Sequence, residues 1–222
     1  MGVRGVIAGS ALARLRQGAA RLLAAGLLTP TASRSERILD GVVVLEELGS
    51  RDFAFGTPIR DWVDALREAD PSSVVTEHVR LFGSGMDGAL CPPMSSQYLG
   101  GNLHGDPARF AARIEGLMRK SGFSLNDPSL PPDHLVVQLE LLSALCKGEA
   151  AAREVGVDVI ECLGWQQDLV GGLRRWVTTF AHDVTNRDRS GAYGPLAHAI
   201  SAYVDHDHDL IRLIADPPEN SR

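Results

Sequence analysis

"PPDHLVVQLELLSAL", Pro131 to Leu145, is the stretch on which the reading of this chain turns. A double proline runs straight into Asp133 and His134. An apolar run interrupted by Gln138 and Glu140 follows. Proline has no place inside a helix, so a helix must begin after the pair. The spacing predicts one over about Asp133 to Lys147, with Asp133 as the N-cap acceptor and His134 in the first turn. Adjacent helical residues point about 100° apart, so these two do not form the orienting pair of a catalytic triad. Glu140, on another face, is spaced like neither an H-E-x-x-H zinc helix nor an E-x-x-H di-iron helix. Its leucine neighbours predict a half-buried carboxylate that needs a donor from a basic residue of another helix.

Outward from this stretch, helical periodicity dominates and strand alternation is nearly absent. Helices are predicted over about 10–28, 35–48, 58–69, a segment ending in "VVTEHVRLF" capped by Ser72 or Ser73, and 107–121. After the central helix, a pattern at 150–163 continues it or restarts beyond Gly148. A stripe of Leu169, Leu173, Trp176, Val177 and Phe180 comes next, then one or two closing helices. Between them lie two irregular segments, the glycine-rich Gly83–Asp106 and "GFSLNDPSLPP" before the central helix. The expected fold is all-α, a single globular bundle of about 8–10 helices in two halves. The halves cover about 1–122 and 132–216, joined by a hinge at about 122–132.

Composition bounds the function. The chain has 222 residues and a formal net charge of -6, which argues against nucleic acid as a main partner. The cysteines, Cys91, Cys146 and Cys162, are odd in number and far apart, so neither a disulfide framework nor a zinc knuckle fits. A reducing, cytoplasmic compartment is expected. The Ala- and Leu-rich N-terminus is broken by Arg14, Arg16 and Arg21, and reads as an amphipathic core helix, neither an export signal nor a membrane span.

Enzymatic signals are lacking. The sequence has no G-x-S-x-G elbow, and "GSGMDG" is not followed by the lysine of a phosphate loop. "YVDHDHDLI", Tyr203 to Ile211, alternates Asp and His as a chelator does, but its helical surroundings favour a solvated turn between two helices. No metal and no cofactor are expected. What remains is recognition. Val79 and Phe82 stand at helical spacing before a loop with Pro92, Pro93, Met94 and Tyr98, residues that suit a groove for an extended or helical peptide. Taken singly, Phe82 and Tyr98 read better as residues that seal the core.

Taken in order, these pieces resemble the TorD/DmsD/NarJ family of redox-enzyme maturation chaperones. The resemblance rests on His78-Val79-Arg80-Leu81-Phe82, on Pro92-Pro93-Met94-Ser95-Ser96-Gln97-Tyr98, and on Pro132-Asp133-His134-Leu135 with Gln138 and Glu140. Trp176, Phe180 and Tyr193-Gly194-Pro195-Leu196-Ala197 extend it. The chain departs from the family at His78, where an aromatic is usual, and at Met94 and Gln138. It is most similar to the branch serving nitrate-reductase-like molybdoenzymes, the type II dimethyl sulfoxide reductase family.

The resemblance implies a cytoplasmic chaperone of anaerobic respiration that is not an enzyme. Such a protein binds the N-terminal segment or twin-arginine signal peptide of a molybdoenzyme catalytic subunit. It assists folding, cofactor insertion and assembly before export. The implied client-peptide residues are Phe82, Pro93, Ser96, Tyr98, Asp133, His134 and Glu140. A monomer or a swapped homodimer is implied, with no nucleic acid partner and no membrane span. Two other readings differ in kind. A permanently bound structural subunit of a redox complex would stay attached through high salt and cofactor loading. A helical metal-dependent enzyme would use His134, Glu140, His182, His206 and His208, and would bind stoichiometric metal.

Overall fold

The computed structural model describes residues 9–83, 88–99, 107–124 and 130–215. The described residues form ten α-helices and no strand. They are α1 (Gly9–Leu27), α2 (Ala32–Glu47), α3 (Gly56–Glu68), α4 (Pro71–Phe82), α5 (Ser95–Tyr98), α6 (Pro107–Ser121), α7 (Leu135–Glu154), α8 (Ile160–Arg174), α9 (Val177–Arg187) and α10 (Tyr193–Ala215). One 3-10 turn, Ser50–Asp52, links α2 to α3.

Local chemistry sets most of the boundaries. Thr31, just after Pro30, starts α2 by accepting the Arg34 amide on its side chain at 3.2 Å. Beyond the end of α2, Gly49 adopts φ 87°, a left-handed turn that favours glycine. α4 is capped by Asp70, whose carboxylate accepts the Ser73 amide at 2.8 Å, with Pro71 in the first turn. That cap lies ahead of the Ser72 or Ser73 expected from sequence, because a proline in the first turn moves the acceptor one place before it.

The central stretch becomes α7, which starts two residues later and ends seven residues later than periodicity predicts. It passes straight through Gly148. Its buried residues include Leu135, Val136, Val137, Leu139, Leu141 and Leu142, which point in every direction around the axis. A helix that is apolar all round belongs at the centre of a core. α1 lies along it, and α10 packs on α3, α8 and α9. One core therefore runs through both expected halves: Leu15 and Leu23 of α1, Trp62 of α3, Leu139 of α7 and Tyr203 of α10 share a cluster. The expected hinge falls partly on residues 125–129, outside the described residues. Parts of the Gly83–Asp106 connection, 84–87 and 100–106, also lie outside them.

The sequence reading of "YVDHDHDLI" needs correcting. The stretch lies inside α10, a single helix, and Asp207 is fully buried. The cause is Arg16 on α1, also fully buried, which a solvated turn could not neutralise. Its Nε donates to Asp207 Oδ1 at 2.5 Å and its Nη1 to Glu149 Oε2 at 2.9 Å. Gln166 Oε1 accepts from Nη2 at 2.5 Å, and Arg153 on the next turn of α7 closes onto Glu149 at 2.8 Å. The network ties α1, α7, α8 and α10 together. Among the described residues no helix is long and apolar enough to cross a membrane.

Candidate functional site

The residues predicted to contact a client converge around the start of α7, with one exception. The segment 88–99 is not the structureless connection its glycines suggest. It is fixed to α4 where the Cys91 amide donates to the Leu81 carbonyl at 2.8 Å, and to α9 where Arg187 Nη1 donates to the Leu90 carbonyl at 3.2 Å. It then meets the entry to α7 in a short antiparallel contact between Met94 and His134. There the Leu135 amide donates to the Pro93 carbonyl at 2.8 Å and the Ser95 amide to the Asp133 carbonyl at 3.0 Å.

This knot corrects the role expected of Asp133. Its side chain does not cap its own helix. The buried carboxylate reaches across, and Oδ2 accepts the Ser96 amide at 3.2 Å in the first turn of α5. α7 is capped instead by His134, whose Nδ1 accepts the Val136 amide at 3.2 Å. The reason is the Met94–His134 pairing, which holds His134 in an extended conformation and so places it at the boundary. Gln138, one turn into α7, donates from Nε2 to the Asp133 carbonyl at 2.9 Å. Two buried polar atoms of the knot, Ser95 Oγ and Gln138 Oε1, have no hydrogen-bond partner among the described residues. In a folded core such groups are exceptional.

Beneath the knot lies an aromatic cluster. Tyr98 stacks on Trp176 with ring centroids 5.6 Å apart and meets Phe180 edge-on at 5.8 Å. Phe82 lies 6.2 Å from Phe180 and 5.2 Å from Tyr193. His78, the departure from the family pattern, packs edge-on against Phe82 at 5.5 Å, and its Nε2 pairs with the Leu27 carbonyl. It fills an aromatic's place while pairing with a carbonyl, which a phenyl ring cannot do. Phe180 thus joins Phe82 to Tyr98, and both rings close the core while remaining half-buried. Pro93 is buried, while Ser96 and His134 are half-buried and reachable from solvent.

Glu140 is the exception. It is half-buried as expected, but lines a groove between α1 and α2 with Arg14, Arg21, Arg34 and Arg37, away from the knot. The sequence reading missed Ser95 and Gln138 as partners of Asp133. Their signal was the same proline-flanked spacing, but only the paired backbone shows that the loop and the helix start meet.

Burial pushes the His134 imidazole below its usual value of 6.5, against the opposing pull of the Asp133 carboxylate. His78 and His206 are lowered for the same reason. A neutral His134 can accept the Val136 amide, whereas a protonated one cannot. With the folded pKa depressed, unfolded chains take up protons first as pH falls below 6.5. Stability is therefore complete above that value and declines beneath it, down to the folded pKa values. Thermal midpoints measured between about pH 7 and about pH 5 are expected to fall, less steeply in His134→Asn, which keeps a capping acceptor without a titrating ring.

Burial also raises the Cys91 thiol and the Tyr98 hydroxyl, leaving both protonated near neutrality. Among the described residues no group of three or more His, Cys, Asp or Glu side chains is placed to hold a metal ion.

Fold and site together define an all-helical protein with a loop-to-helix knot over an aromatic cluster. The chain belongs to the nitrate reductase delta subunit family, whose sequence model matches residues 50–182. That family consists of NarJ/TorD-type maturation chaperones and is not a catalytic one. In a structural comparison, the chain is similar to a crystal structure from Archaeoglobus fulgidus assigned as a redox enzyme maturation protein. The TM-score is 0.57 at 21% identity, covering 85% of this chain and 93% of that one. No curated protein matches the chain in sequence. The family match runs from the 3-10 turn before α3 into the first half of α9, and so contains both sides of the knot.

Proposed function

We propose that this chain is a cytoplasmic chaperone for the catalytic subunit of a molybdenum-cofactor oxidoreductase of the nitrate-reductase-like kind. It binds the subunit's N-terminal segment or twin-arginine signal peptide and holds the apoprotein through folding, cofactor insertion and assembly before export. The observation that carries the reading is the knot itself, which lies within the family match. There, half-buried Ser96 and His134 border a segment whose buried Ser95 Oγ and Gln138 Oε1 are unpaired among the described residues.

An extended peptide needs backbone partners and an apolar floor. Slight opening of the knot would supply both, from Ser95 and Gln138 and from the Tyr98–Trp176 stack. Affinity would come from apolar burial, while the chain's net charge of -6 favours encounter with a basic leader.

A tagged pull-down from the host grown anaerobically, with captured proteins identified by mass, tests this reading. Wild type is expected to capture an apo-molybdoenzyme catalytic subunit. Ser96→Arg puts bulk and charge at the rim without removing a buried partner, and is expected to capture at least tenfold less with an unchanged circular-dichroism spectrum. Release of the subunit once its cofactor is loaded separates a chaperone from a permanent structural subunit. Failure of wild type to capture any molybdoenzyme that the cells express would overturn the reading.

A further inference from the structure

α1 and α2 run antiparallel, and the chain departs from simple close packing along one side of the pair. Gly18 of α1 lies where a Cβ would meet Leu45 at 2.8 Å, and Gly41 of α2 where one would meet Leu22 at 2.8 Å. Without side chains at these points the helices approach closely, and they form the floor of a groove of about 780 Å³. Each helix presents one stripe to it. On α1 the stripe steps through Arg14, Gly18, Arg21 and Ala25, with Leu28 just past the helix end; on α2 through Arg34, Ile38, Gly41 and Leu45, with Leu48 at the C-cap.

The floor is apolar, and Val44 and Leu48 on its edge are 53% and 38% exposed. The rim is basic. Four arginines line the groove against one carboxylate, Glu140, in a chain whose net charge is -6. Arg14 is paired with Glu154, and Arg34 donates to the Thr29 carbonyl. Arg21 and Arg37 are exposed, with no hydrogen-bond or ion-pair partner among the described residues.

We infer that this groove is a docking site for an acidic amphipathic helix of a partner protein, with its apolar stripe on the floor and its carboxylates against Arg21 and Arg37. Charge complementarity selects the occupant. Guanidinium groups at the rim repel a basic leader segment, so the site is distinct from the one proposed for the client's N-terminus and does not rest on it. Length sets the size: α2 has 16 residues, about 24 Å, room for a helix of about four turns. Apolar contact supplies affinity, and the arginines set orientation and selectivity.

The test uses the full chain and two labelled 16-residue helical peptides. Both carry leucines at i, i+3, i+4 and i+7; one is flanked by glutamates and the other by lysines. In fluorescence anisotropy, wild type is expected to bind the glutamate peptide at least tenfold more tightly. Arg21→Glu with Arg37→Glu is expected to invert the preference, and Arg21→Gln with Arg37→Gln to abolish it. Both residues are exposed, so circular dichroism should be unchanged in either pair. Equal binding of the two peptides by wild type, or the same preference in both variant pairs, overturns the inference. So does a dimer in gel filtration that excludes the peptide, which would give the groove to a second copy of this chain.

Discussion

Arg16→Ala is expected to cost about 3–5 kcal/mol of folding stability, read as a lowered urea midpoint with an unchanged slope. Arg16 sits fully buried between Asp207 and Glu149, and Gln166 fills another of its donor sites. Burial by itself would lower the guanidinium's pKa, yet the Asp207 carboxylate and its hydrogen bond hold it well above the ordinary value. Alanine leaves two carboxylates in the core with only Arg153 to balance them. Since whole domains are stable by about 5–15 kcal/mol, this one change consumes a large share.

Two comparisons separate the network from charge in general. Arg14→Ala breaks the pair with Glu154, in which both side chains are about half exposed, and is expected to cost less than about 1 kcal/mol. Arg16→Met combined with Asp207→Leu removes both charges together, and is expected to recover part of the loss. If Arg16→Ala were as mild as Arg14→Ala, the network would not be holding the four helices together.

Phe180→Ala is expected to cost a similar amount, about 3–5 kcal/mol, and to act on the candidate site as well. The ring is fully buried and touches Phe82, Tyr98 and Trp176, so it joins the end of α4 to α5. Its loss leaves a cavity beneath the knot. The amides of Ser95 and Leu135, which bond across the knot, are then expected to exchange with solvent faster than in wild type. Amides of α1 and α10 should keep their relative protection. Uniform acceleration throughout would instead mean that Phe180 only stabilises the whole fold, with no particular hold on the site.

The helical class and most helix boundaries were legible in the sequence, because each depends on local rules. Prolines and glycines mark where helices must stop, and apolar spacing at i, i+3 and i+4 marks where they run. The rest depends on pairings across the chain. Asp133 stands where a cap for α7 belongs, and nothing local reveals that its acceptor serves Ser96, 37 positions away. Asp207 resembles a solvated residue until Arg16, 191 positions away, is seen to need it. A signal for Arg16 was present: it falls three residues after Ala13 and four before Ala20, both buried, so it lies on the apolar side of α1. Glu140 joins the client-peptide set only through the family resemblance, although helical spacing alone already turns it away from His134. Six residues on, it faces a different surface.

The most direct test is calorimetric titration of the purified chain with a synthetic peptide of the captured subunit's N-terminal segment. Wild type and Ser96→Arg would be run side by side. Saturable one-to-one binding to wild type with a dissociation constant on the order of micromolar, at least tenfold weaker in Ser96→Arg, is the expected result. A peptide that fails to bind although the whole subunit is captured would contradict it, and would place client recognition outside the knot.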